Sequence, residues 1–227
     1  MYNPATQRTE RLLYNTQEEV KLGAGLDQEL QKQLKISNNT AMKSRLERIG
    51  KKIAAASDRQ DLVYYFRIVE DKDLNAFAIP GGYVYVHTAL MESATDDELA
   101  CVLAHEVGHI AAKHSIKQMQ GVLPYQITMA VVAGVTGAGD AVQLVDMIIA
   151  NPLILHYSRT DELFADKLSV RYSRRADFNP YGSVTFFEKL KKEAQNKGPA
   201  LKIEILSSHP DLDKRIKLIK EEIALTK

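Results

Sequence analysis

Two stretches near the start, QEEVKLGAGLDQELQKQLKI (17–36) and TAMKSRLERIGKKIAAAS (40–57), space their apolar residues three and four apart and fill the other positions with charge. That spacing predicts two amphipathic helices. The period then changes. LVYYFRIVE (62–70) is rich in β-branched and aromatic residues, and YVYVH (83–87) alternates tyrosine with valine, the repeat of a strand. Between them NAFAIPGG reads as a short strand stopped by Pro80, Gly81 and Gly82. Together these predict a small antiparallel sheet. From Thr95 the helical period returns. Thr95 and Glu98 fit a capping box, and Asp96 and Asp97 favour the positive end of the helix. This helix is expected to reach about Gln120, with further helices over 126–134, 140–150, 160–175, 180–196 and 211–225, interrupted at Gly139, Pro152, Pro180, Gly198-Pro199 and Pro210. A few strands followed by many helices predict an α+β fold, mainly helical.

Composition narrows the class. A chain of 227 residues can bury a real core as one domain, and we read 1–227 as such, with 1–16 as an N-terminal extension. Lys plus Arg number 30 against 29 for Asp plus Glu, a formal charge of +1, so no basic field exists to attract nucleic acid. Cys101 is the only cysteine, which rules out an intramolecular disulfide. MYNPATQRTERLL has no apolar core and is not a signal peptide. GVLPYQITMAVVAGVTGAG (121–139) is uncharged but carries Pro124, Gln126 and four glycines. It reads as a buried or interfacial helix capable of shallow membrane contact, not a span.

The candidate chemistry lies in LACVLAHEVGHIAAKH (99–114). Residues four apart on a helix sit about 40° apart on one face, so His105 and His109 can reach one ion. Glu106 is rotated about 100° from His105, beside such an ion and placed to take a proton from its water. The competing reading is two buried histidines on an ordinary helix. Burying them unpartnered among Leu103, Ala104, Val107, Ile110 and Ala111 would be costly, which favours the metal. On a continuous helix His114 would point about 140° away from His109, so it reads as structural or surface-lying. Ala112 and Ser115 break the metzincin pattern.

A catalytic zinc takes a third protein ligand. SRTDELFADKLSVRY (158–172) offers Glu162, with Asp166 one turn on to accept the N–H of a ligating histidine, and a small Ala165 to let two helices approach. A solvated charge cluster is the bland reading of that stretch, given Arg159, Asp161, Lys167 and Arg171. Glu18, Glu19 and Glu188 are rival ligands, but none has the paired aspartate and small residue.

HEVGH followed about fifty residues later by ELFAD, with NPATQRTE, NAFAIPGGYVYVHTALME, YSRTDELFADKLSVRY and SSHPDLDKRI in the same order, resembles the gluzincins of peptidase family M48. These are the HtpX-like and CAAX-prenyl-endopeptidase-type zinc metallopeptidases, in their small periplasmic or lipoprotein-type form. The resemblance implies a zincin-like domain holding one Zn2+ on His105, His109 and Glu162, with Glu106 as general base and later proton donor. It implies that Asp166 supports a ligand, that His209 stabilises the oxyanion or takes the open coordination site, and that Arg215 orients that segment. The strand from Tyr83 resembles the edge strand, flanking the active-site helix, on which related peptidases lay an extended substrate; Gly82, Tyr83, Val84 and Tyr85 would then bind substrate through backbone hydrogen bonds. The expected activity is endoproteolysis of extended or unfolded polypeptides. The rival is a chaperone-like or scaffold protein with a latent, gated zinc site; an aminopeptidase is a third reading. The expected setting is exported, periplasmic or membrane-associated, with the targeting segment outside this sequence and a cytoplasmic home as the alternative.

Overall fold

A computed structural model describes residues 2–122, 157–197 and 211–226. A two-stranded ribbon, β1 (Tyr2–Asn3) and β2 (Arg8–Thr9), precedes helices α1 (Thr16–Gln33) and α2 (Thr40–Ala56). Asn15 caps α1 and Asn39 caps α2, each side chain accepting from a backbone amide that the helix leaves unpaired. Three strands follow, β3 (Tyr65–Val69), β4 (Ala76–Ile79) and β5 (Tyr83–His87), then the short α3 (Thr88–Ser93). The remainder is helical: α4 (Asp96–Ala111), α5 (His114–Val122), α6 (Arg159–Arg175), α7 (Gly182–Lys197) and α8 (Leu212–Leu225). The helices expected over 126–134 and 140–150 lie outside the described residues, as does His209. Among the described residues no helix is long and apolar enough to cross a membrane.

The sheet corrects two expectations. Its order is β3-β5-β4, with β3 parallel and β4 antiparallel to β5, so it is mixed rather than antiparallel. Strand Tyr83–His87 is its centre, not its edge. Both of its backbone edges are already in ladders, so Gly82, Tyr83, Val84 and Tyr85 are not free to take an added strand. The cause is the turn after β4: Gly81 (φ 81°) and Gly82 (φ 98°) reverse the chain, and a side chain on Gly82 would collide with the Val63 carbonyl. The reversal slots β5 between its neighbours. All five of its residues are buried. Val84 and Val86 face the main core with α4, whereas Tyr83 and Tyr85 face a second cluster with Leu22, Leu26 and Leu30 of α1. The tyrosine–valine alternation thus distinguishes two buried faces, not an inner and a solvated one.

The Thr95 capping box forms as expected: Thr95 N–H donates to Glu98 at 2.8 Å and Glu98 N–H to Thr95 Oγ1 at 3.3 Å. The far end of that helix differs. α4 stops at Ala111, and Lys113 takes a left-handed conformation (φ 59°) before α5 begins at His114. Lys113 is anchored there: its Nζ lies 3.4 Å from Glu19, which also receives a bond from buried Arg59 at 3.2 Å.

Candidate metal centre

Every residue from Glu98 to Ala111 is buried, so α4 is wrapped on all sides, with α6 its principal partner. Gly108, between the two histidines of HEVGH, makes that approach possible. A Cβ there would stand 3.1 Å from Leu168 Cβ and 3.3 Å from the Ala165 carbonyl. α6 is started by another capping box, in which Ser158 Oγ accepts from the Asp161 amide at 3.2 Å and the Ser158 N–H donates to Asp161 Oδ2 at 3.3 Å, with the Ser158 hydroxyl adding a bond of 2.7 Å to the same oxygen. That box sets the phase at which Glu162 and Asp166 face α4.

His105, His109 and Glu162 converge into a group able to hold a metal ion. The Nε2 atoms of the histidines are 3.0 Å apart, and the Glu162 oxygens lie 3.4 Å from His105 and 3.3 Å from His109. Ligands at about 2.0–2.1 Å from a tetrahedral ion are about 3.3 Å from one another, so this triangle suits zinc without rearrangement. The three other proposed acids are engaged elsewhere: Glu18 in the Asn15 cap, Glu19 with Arg59, and Glu188 with Lys220 on the surface.

Around the triangle the polar groups interlock. Asp166 Oδ1 lies 3.0 Å from His105 Nδ1. Arg215 clasps Asp166 with two bonds of 2.7 and 2.6 Å and reaches Glu162 at 3.0 Å, its guanidinium resting over the Phe187 ring. Arg215 is 1% exposed. Glu106, also buried, lines a cavity with Val102, Phe187 and Leu190 that touches His105, Asp166 and Arg215. His109 has two further neighbours that sequence reasoning overlooked. His114 Nδ1 is 2.9 Å from His109 Nδ1, and the Tyr157 ring stacks on His109 with centroids 3.8 Å apart. His114 is buried, not surface-lying, because the turn at Lys113 swings it back toward α4. No spacing rule for an unbroken helix could find it.

Burial opposes charge on each of these groups, and the partners decide the outcome. Burial alone would lower the His105 pKa, but Asp166 and Glu162 outweigh it and hold the imidazole up at about 9. Burial would raise Asp166, yet the Arg215 guanidinium keeps it down at about 2. His114 is pushed down to about 3, by burial first and by His109 next. Three acids, Glu106, Glu162 and Asp166, lie beside the Arg215 guanidinium and the two histidines, a donor set that suits a dication. With its pKa raised from near 6.5 by Asp166 and Glu162, His105 favours the protonated form at pH 7 in the metal-free protein, and a ligating imidazole must lose that proton. Zinc uptake at pH 7 should release about one proton per chain, and affinity should climb as pH rises toward 9. Titration calorimetry in buffers of different ionisation enthalpy measures the proton; buffer-independent heats would contradict it.

Comparison with known proteins agrees with this geometry. The chain is 30% identical over 177 residues to the mitochondrial metalloendopeptidase OMA1 of Schizosaccharomyces pombe, covering 78% of this chain and 51% of that protein. It is 29% identical over 163 residues to metalloprotease LoiP of Escherichia coli, covering 70% and 62%. To the β-barrel assembly-enhancing protease of Escherichia coli it is 24% identical over 213 residues, covering 88% and 42%. The chain thus spans about half the length of the curated relatives it matches. The model of peptidase family M48 matches residues 40–223, which contain both metal-facing helices and the Arg215 clamp, and the chain belongs to that family.

Proposed function

We propose that this chain is a single-domain zinc metalloendopeptidase that cleaves extended or unfolded polypeptides. One zinc ion per chain is held by His105, His109 and Glu162. The observation that carries this reading is the triangle of two imidazoles and a carboxylate, drawn from two helices, at the spacing a tetrahedral ion requires. Bound there, zinc supplies a Lewis acid that polarises the scissile carbonyl and lowers the pKa of water from about 16 to about 7. Glu106 accepts the proton of the attacking water and delivers it to the departing amine. Asp166 fixes the ring of His105, and Arg215 holds Asp166 and Glu162 in place. His209, outside the described residues, is assigned the stabilisation of the oxyanion.

The substrate strand moves from β5 to β4. Among the described residues β4 pairs only with β5, and it runs beside α4. The bond from His87 N–H to the Asn75 carbonyl sets the phase of this antiparallel ladder, so the backbone groups of Ala76 and Ala78 point away from β5, at residues that are each only 1% exposed. An extended peptide would add along this edge by displacing whatever buries it, with recognition of backbone rather than side chains. Ala78→Pro deletes one outward N–H and leaves the ladder bonds in place; in a variant that retains the wild-type circular dichroism and bound zinc it should raise KM, and an unchanged KM would remove β4 as the docking edge.

Two relatives are named for mitochondria and for β-barrel assembly, which supports reading this chain as an exported, periplasmic or membrane-associated protein. The activity is tested by measuring bound metal and casein cleavage before and after chelation. About one zinc per chain, cleavage abolished by chelator and restored by zinc, is expected. Cleavage of peptides blocked at the N-terminus separates an endopeptidase from an aminopeptidase. Chelator-insensitive cleavage, or none with zinc bound, would reject the proposal.

A further inference from the structure

His114 has no task in the reaction above, yet it is buried against the centre. Its Nδ1 is 2.9 Å from Nδ1 of His109, on the side of that ring opposite the other ligands. An imidazole that directs its Nε2 lone pair at a cation carries its proton on Nδ1. His109 is therefore the donor in this bond and His114 Nδ1 the acceptor. His114 must then hold its own proton on Nε2, and that atom lies 3.3 Å from Asp161 Oδ1. Asp161 is in turn held by its other oxygen, which receives the Ser158 hydroxyl at 2.7 Å. Tyr157 covers the His109 face and the Phe164 ring meets His114 edge-on at 6.2 Å, so both imidazoles are packed by aromatic rings.

We propose that His114, backed by Asp161 and the Ser158 cap of α6, is a positioning residue that locks His109 in the tautomer and orientation needed to ligate the ion. The inference rests on the reading of His109 as a ligand. It makes the support of the two histidines unequal: His105 is held by a carboxylate, Asp166, and His109 by a neutral imidazole with a carboxylate one step behind. It also ties the start of α6, which carries Glu162, to the histidine that Glu162 faces across the centre. A chain of side-chain contacts from Ser158 to His109 thus connects both helices of the site. The left-handed residue Lys113 gains a purpose as well, since it turns the chain so that His114 lies behind His109.

The test compares His114→Leu, which keeps bulk and removes the acceptor, with His114→Asn, whose Oδ1 can accept near the place of Nδ1. Zinc affinity is read by competition with a chromophoric chelator, and the His109 tautomer in the metal-free protein by 15N NMR. His114→Leu should weaken zinc binding by about 10–100-fold and leave His109 a mixture of tautomers. His114→Asn should bind near the wild-type level with the proton retained on Nδ1, a rescue that a mere packing role would not produce. If Leu binds as tightly as wild type, or if Asn is as weak as Leu, the positioning role is overturned while the ligand assignment stands. A wild-type protein that takes up no zinc overturns the ligand assignment and the relay with it. A wild-type His109 protonated on Nε2 overturns the relay alone.

Discussion

Glu106→Gln is expected to slow casein cleavage by about 10²–10⁴-fold while one zinc per chain stays bound. The two side chains have the same shape, so neither the packing of α4 nor the His105–His109–Glu162 triangle should be disturbed. What is lost is an oxygen that can accept a proton from water and return it to the amine. Glu106 leaves the helix about 100° away from His105, within the cavity it shares with Arg215 and Phe187, and outside the ligand triangle. The discriminating partner is His109→Ala, which should lose metal and cleavage together. Elemental analysis beside initial rates separates the two. A Gln variant at full speed would mean that the proton goes elsewhere, and one stripped of zinc would make Glu106 a ligand.

Arg215→Met should be the most damaging change to stability. Arg215 is the cation that contacts both Asp166 and Glu162, and side-chain exposures of 2% for Arg215 and Glu162 and 5% for Asp166 leave little water to screen them. Methionine keeps much of the volume over Phe187 but leaves two carboxylates in a buried site. Breaking a buried pair in this way costs about 3–5 kcal/mol, which corresponds to a fall in Tm of about 6–20 °C for a chain of this size. Saturating zinc should restore part of the loss, since a dication supplies the missing positive charge and stabilises only the folded state. Thermal unfolding of both proteins in chelator and then in zinc measures this. A variant as stable as wild type in chelator would show that the clamp does not hold the site together.

The local pieces of this site were readable because they depend on backbone periodicity alone. His105 and His109 share a face in any α-helix, and the Thr95 box forms wherever its residues are followed by a helical pattern. Asp166 was readable on the same terms, one turn after Glu162. The failures have equally definite causes. The expectation that α4 runs to Gln120 assumed that a good helical pattern continues, but the buried Glu19–Arg59–Lys113 cluster holds Lys113 in a conformation that ends it. With that break, the angular argument that sent His114 away from His109 no longer applies. The edge assignment of Tyr83–His87 came from the resemblance, and it failed because β3 and β4 pair with β5 on either side, an order that strand alternation does not encode.

By itself the sequence determined the type of the longer helices and of the three sheet strands, the shared face of His105 and His109, and the set of acids able to complete a metal site. Only the tertiary structure decided that Glu162 is the acid that meets them, that Arg215 holds it, that Tyr157 and His114 pack on His109, and that β5 is the centre of its sheet. The division follows from the range of the forces. Periodicity and capping act over a single helical turn, whereas the meeting of α4 with α6 depends on Gly108, Ala165 and Leu168 fitting together across more than fifty residues of chain.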